Sequence, residues 1–182
     1  MNYSQLIITN YAVSWKTCLG GLKSSFETLV NRRYLNRVFH IIYHANFAVL
    51  RSKHLPFVYI VFYGGHVNCT GIPNSADIDR ATRLFKLAFG VKVFNCKTRA
   101  IAATTNTLKT ITQGSITEIK RLLFGKDQLF YVRDFFTGAL IRFENGGSAQ
   151  IFYSGKVNFL GAKDKGHLLR MYIIIFYLLS NV

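Results

Sequence analysis

Acidic residues are scarce in this chain. Eight Asp and Glu stand against 23 Lys and Arg among 182 residues, for a formal net charge of +15 and a pI near 10.0. A catalytic centre of paired carboxylates, or an all-oxygen cation site, has little to draw on. Proline is nearly absent (Pro56 and Pro73) and half of the residues are hydrophobic, which excludes a Pro-rich or disordered chain. Cys18, Cys69 and Cys96 are odd in number and contain no C-x-x-C pair. They build neither a disulfide framework nor a zinc site, and they fit a reducing compartment. Long apolar runs are missing too: "MYIIIFYLL" (171–179) has nine residues, against roughly 20 for a membrane-spanning helix. It reads as a buried helix, so no membrane partner is expected. The start of the sequence lacks a charged stretch followed by an apolar one, and no signal peptide is expected.

What is present is positive charge, evenly spread. Residues 1–91 hold 10 Lys and Arg against 3 acids, and residues 92–182 hold 13 against 5, so the halves carry +7 and +8. A field of this size favours a polyanion, either nucleic acid or an acidic membrane surface. The plainer alternative is a merely soluble basic surface.

The sequence also says one thing twice. "IVFYGGHVNCTGIPN" (60–74) and "QIFYSGKVNFLGAKD" (150–164) share an aromatic hairpin pattern, with Phe62 and Phe152, and Gly71 and Gly161, each 90 positions apart. Upstream, Ser24-x-x-Glu27 and Ser115-x-x-Glu118 each fit a capping box at a helix start. Apolar residues follow at helical spacing: Phe26, Leu29 and Val30, then Ile116, Ile119 and Leu123. Downstream, "NSADIDRATRLFKLAFG" predicts a helix from Asn74 or Ser75 to Gly90, with Ile78, Ala81, Phe85 and Ala88 as its apolar stripe. "DKGHLLRMYIIIFYLLS" holds the matching place in the second half. Extended segments "QLIITNYAVSW" and "VFNCKTRAIAATTN" precede the capping boxes, and "NFAVLRS" and "FFTGALIRF" precede the hairpins. Each half, 1–91 and 92–182, thus reads strand, helix, several strands, helix. The expected fold class is α+β: two tandem pseudo-symmetric repeats sharing one antiparallel sheet, with helices on one face. The other face, with aromatics ringed by Lys and Arg, would be a binding surface.

These residues resemble a known family. "FYSGKVNFLGAK" (152–163) is similar to the second-repeat signature F-x-S-G-K-x-x-x-x-G-A-K of the TATA-box-binding protein family, and "FYGGHVNCTG" (62–71) to its first-repeat counterpart. The duplicated element order extends the resemblance over essentially the whole chain. It implies a saddle, a curved sheet with helices on the convex face and double-stranded DNA, bound through its AT-rich minor groove, on the concave one. It implies two pairs of phenylalanine wedges that kink the duplex. Their insertion costs a few kcal/mol of stacking per step, offset by the surface that bent DNA wraps. By motif, Phe62 and Phe152 are one member of each pair. Phe47 and Phe136 are the favoured partners, with Phe39, Phe130 and Phe135 as competitors. Asn10, Ile60, Asn68, Thr70, Asn158 and Leu160 fall on the groove floor, and Lys53, His66, Arg142, Lys156 and Lys163 on phosphates. For any one phenylalanine the plainer reading is core packing, and for any one lysine or arginine a solvated charge.

Departures from the family pattern carry information. His66 and Pro73 replace lysines, Leu160 replaces a threonine, Gln150 an aliphatic residue, and Ala100 an asparagine. Asn68 and Asn158 stand where the family has valines, and their amides can bond adenine N3, thymine O2 or the guanine amino group. Such divergence fits an outlying relative, for instance one carried by a large DNA virus, with the host nucleus as its compartment. The leading expectation is a non-enzymatic transcription initiation factor that bends promoter DNA, recruits other initiation proteins and needs no cofactor. It would be a monomer on DNA, with a dimer as the alternative when free. The second reading is an interaction module that kept the saddle and lost DNA bending. An enzyme is the third and poorest fit: His40 and His44 form an i, i+4 pair without a third ligand.

Overall fold

The structure is a computed structural model describing residues 5–18, 35–107, 109–123, 130–131 and 137–182. Among these the elements run β1 (Ile7–Thr17), α1 (Leu35–Val38), β2 (Phe39–Tyr43), β3 (Phe47–Ser52), β4 (Val58–Phe62), β5 (His66–Ile72), α2 (Asp77–Phe89) and β6 (Val93–Asn106). They continue with α3 (Gln113–Leu123), β7 (Phe130–Tyr131), β8 (Gly138–Arg142), β9 (Ser148–Phe152), β10 (Lys156–Ala162) and α4 (Lys165–Ser180). The chain divides into two compact units, one of Asn10–Arg99 and one of Met1–Thr9 with Ala100–Val182.

In the first unit the strands lie in the order β2-β3-β4-β5-β1, all neighbours antiparallel. Strict alternation builds this sheet: in β4, Tyr59 and Val61 are buried while Val58, Ile60 and Phe62 are half-exposed. The buried face packs on α2. Phe85 meets Trp15 and Tyr59 at centroid distances of 5.8 and 5.4 Å, and the Tyr59 hydroxyl donates to the Ala81 carbonyl at 3.0 Å. The predicted stripe holds at Ala81 and Phe85, with Phe89 buried beside them and Ile78 and Ala88 half-buried. Helix α2 starts three residues after Asn74, whose side chain accepts from the Asp77 N–H at 3.0 Å, and it ends on Gly90 at φ 65.

The second unit orders its strands β6-β10-β9-β8-β7, again antiparallel. Its core sets Ile101, Ala103, Ala139, Ile141, Ala149, Ile151, Val157 and Phe159 against Ile116, Ile119 and Leu123 of α3 and the inner face of α4. The hairpin echo is structural: β9 repeats the burial pattern of β4, and Gly155 N–H donates to Phe152 as Gly65 N–H does to Phe62, both at 2.9 Å. Gly71 and Gly161 sit at φ 79 and 77, beside the register shifts in the β1–β5 and β10–β6 pairs. A left-handed residue at a bulge is nearly always glycine, which explains its repetition at an offset of 90.

Two local expectations change. Helix α3 is capped by Thr112, not Ser115: Thr112 Oγ1 accepts from Ser115 N–H at 3.1 Å, and Ser115 Oγ accepts from Thr112 N–H at 3.4 Å. That reciprocal pair is a capping box one turn early, and it leaves Glu118 free to bind Arg121. The first capping box, Ser24 to Glu27, lies outside the described residues. Helix α4 is buried on one side only, since Leu169, Ile173, Phe176 and Tyr177 are exposed. No helix among the described residues is long and apolar enough to cross a membrane.

Candidate nucleic-acid interface

Pleating sends alternate residues to the face away from the helices, and pairing register aligns them in rows. In the first unit Val49, Ile60, Asn68 and Ser14 are successive cross-strand partners. In the second, Leu140, Gln150, Asn158 and Thr104 form the matching row. Asn68 and Asn158 therefore sit at the same point of each row, as the repeat predicts.

Phe47 and Phe62 are direct partners across β3 and β4, half-exposed, with ring centroids 5.7 Å apart. His44 stacks on Phe47 at 4.5 Å, and His66 lies 6.0 Å from Phe62. Phe39 is buried against Tyr59 and Phe89, and so belongs to the core. In the second unit the cross-strand partner of half-exposed Phe152 is Gly138. Phe135 and Phe136 lie outside the described residues; for Phe130 only the backbone is described.

Asn10 and Thr70 meet: Asn10 Nδ2 donates to Thr70 Oγ1 at 2.8 Å. Asn10 Oδ1 also accepts from Gly71 N–H at 2.9 Å and Ile72 N–H at 3.0 Å, so this side chain holds the β5 bulge. The equivalent places, Ala100 and Leu160, hold apolar side chains, and Leu160 is exposed. Asn158 Oδ1 lies 3.1 Å from Thr104 Oγ1, and Asn68 Oδ1 lies 3.1 Å from His66 Nε2.

Among the expected phosphate ligands, Lys156 begins β10 opposite Asn106, Arg142 ends β8 opposite Ser148, and Lys163 follows β10, all exposed. Lys53 is partly committed, its ammonium donating to the Asn36 carbonyl at 2.6 Å. Sequence reasoning missed Arg99 and Ser14, which are hydrogen-bonded to each other. With Ile60, His66, Asn68 and Thr70, Arg99 lines an open cavity of about 450 Å³ on the strand face. Arg99 at the head of the apolar and hydroxylic run "AIAATT" of β6 was the available signal. His40 falls in β2 and His44 just after it, which is strand spacing, and no group of three metal-ligating side chains occurs among the described residues.

Acids are segregated by element, while cations stand in helices and strands alike. None of the ten described strands contains an acid, whereas Lys16, Arg51, Lys97, Arg99, Arg142 and Lys156 all lie in strands. The described acids are Asp77 and Asp79 in α2, Glu118 in α3, Glu144 between β8 and β9, and Asp164 at the cap of α4. Beneath the face, burial pushes the Cys69 thiol well up, with Cys96 adding to it, and raises the Tyr59 hydroxyl likewise.

Comparison with solved structures identifies this arrangement. Methanococcus jannaschii TBP superimposes with a TM-score of 0.71 at 20% identity, covering 98% of this chain and 99% of that one. The chain has the TBP fold. A rolling-circle replication initiator protein from Geobacillus stearothermophilus also matches, at 12% identity over 100% of this chain and 80% of that one, but its TM-score of 0.43 carries no weight. No family model matches the sequence, and no curated protein does. The TBP fold thus persists here where sequence likeness has faded, as expected when a core tolerates hydrophobic replacement that keeps volume and pattern.

Proposed function

We propose that the strand faces bind double-stranded DNA in its minor groove and bend it, in a non-enzymatic role at transcription initiation. The observation that carries this reading is the segregation of acids: the described strands have cations, amides and half-exposed aromatics, and no acid. Such a face suits a polyanion whose groove floor offers acceptors. Phe47 with Phe62, and Phe152, are the wedges; Asn68, Asn158, Thr70 and Ile60 face base edges; Arg99, Arg142, Lys156 and Lys163 neutralise phosphates. The proposed target is AT-rich, because the minor-groove edges of A·T pairs carry only acceptors for the asparagine amides.

A fluorescence binding and bending assay tests it, on a TATA-containing duplex and a scrambled one at two salt concentrations. Tight binding with a large bend, falling steeply with salt, is the expected result. No binding to either duplex at low salt by folded protein would overturn it. The second reading, an interaction module that does not bend DNA, is favoured by Ala100 and Leu160, which put apolar groups where the first unit has its Asn10–Thr70 pair. It predicts binding that is indifferent to salt.

A further inference from the structure

Helix α4 is apolar on both sides. His167, Leu168, Met171, Ile175, Leu178 and Leu179 are buried. On the outer side Leu169, Ile173, Phe176 and Tyr177 are 53%, 56%, 39% and 58% exposed. Their three- and four-residue spacing makes them one continuous stripe. Large contiguous apolar surface left in water marks an interaction site. Helix α4 has no acid; its cations are Lys165 and Arg170.

A cavity of about 300 Å³ flanks the stripe near the start of α4, lined by Phe143, Glu144, Asn145, His167, Arg170, Met171 and Ile174. His167 is 5% exposed, and its Nδ1 accepts from the Lys163 N–H at 3.1 Å. That bond assigns the ring proton to Nε2. Nε2–H has no acceptor among the described residues, and Arg170 has no ion pair among them. Two donors thus line a cavity whose apolar walls are Phe143, Met171 and Ile174, and both present N–H groups to an incoming acceptor.

We infer that α4 and this cavity form a docking surface for an amphipathic segment of another protein, with an aspartate or glutamate that enters the cavity. The carboxylate takes His167 Nε2–H and the Arg170 guanidinium, while apolar side chains cover Leu169, Ile173, Phe176 and Tyr177. Glu144, on the same rim, accepts from an N–H of the incoming segment. Charge selects the occupant: a second copy carries the same +15 and brings no acid on its own α4 to meet these donors. The surface is on the helix side of the second unit's sheet and does not depend on the DNA reading.

The test is selection of a displayed library of helical peptides on the full chain, with Ile173→Asp and Arg170→Glu as variants. Both positions are exposed, so both variants keep the circular dichroism spectrum and the melting temperature of the parent. Enriched peptides are expected to combine an apolar stripe with an acid at one end, and each variant should weaken the best peptide by at least about tenfold. Lysine in place of the peptide's acid should restore binding to Arg170→Glu. Enrichment without acids, or indifference to Arg170→Glu, overturns the proposal. So does self-association in sedimentation that Ile173→Asp abolishes, which assigns the stripe to a second copy. Flotation with phosphatidylserine vesicles that the same variant abolishes assigns the stripe to lipid and overturns the proposal equally.

Discussion

Gly138 stands directly opposite Phe152 across the β8–β9 ladder, and a Cβ on Gly138 would lie 1.9 Å from the Ile151 carbonyl oxygen. The matching relationship in the first unit is Phe47 opposite Phe62. The two units therefore share a hairpin but not its neighbour: where one places a ring, the other has room for a hydrogen only.

Gly138→Ala should destabilise the protein by about 1–3 kcal/mol, because the ladder must part to admit a methyl group. Chemical denaturation checks it. An unchanged midpoint would show that β8 can shift without loss.

Asn10→Ala should cost about 1–3 kcal/mol, since it strands the Gly71 and Ile72 N–H groups at the bulge. Hydrogen exchange at these two amides should accelerate, and thermal melting should fall. If DNA affinity drops while melting and exchange stay constant, Asn10 works on the groove and not on the strand.

Phe62→Ala should reduce DNA bending far more than it unsettles the fold. It gives up ring contacts with Phe47 and His66, worth about 0.5–1.5 kcal/mol each at most. Bend angle by energy transfer and melting temperature, measured on the same sample, separate the two effects. A full bend in the variant's complex would remove Phe62 from the wedges.

Thr112→Ala should cost about 1 kcal/mol through loss of the α3 cap. Glu118→Ala should change stability little, because its partner Arg121 is exposed on the same helix. Equal losses would return the cap to Ser115 and Glu118.

Iodoacetamide at pH 8 should label Cys18 and Cys96, which are exposed, and spare Cys69. Burial holds the Cys69 thiol protonated at this pH, and the thiolate is the reacting form. Peptide mass spectrometry reads the pattern; labelling of Cys69 in native protein would mean that β5 opens.

Duplication made the strands legible: the extended segment before the second capping box, Val93 to Asn106, is β6 with the same bounds, and both hairpins close where their glycines stand. Asn68 and Asn158 could be matched because the duplication fixes their register. The α3 cap was misplaced because Ser115-x-x-Glu118 and Thr112-x-x-Ser115 overlap, and only geometry tells which serine or threonine precedes the first turn. The outer face of α4 could not be read, since a run apolar at every position has no period to reveal a second side. Arg99 escaped because its role depends on Ser14, 85 positions away.

The acid-free strands make dissolved ions part of this protein's stability. With no carboxylate in the described strands to answer Lys16, Arg51 and Arg99, the unliganded strand face repels itself. Salt screens that repulsion, so the free protein should melt higher in salt, the reverse of an ion-paired protein. A polyanion does the same with specificity, and its grip is recorded as added stability of the folded state. Purified in dilute buffer and without a ligand, the chain should melt lower than in salt or with a polyanion bound.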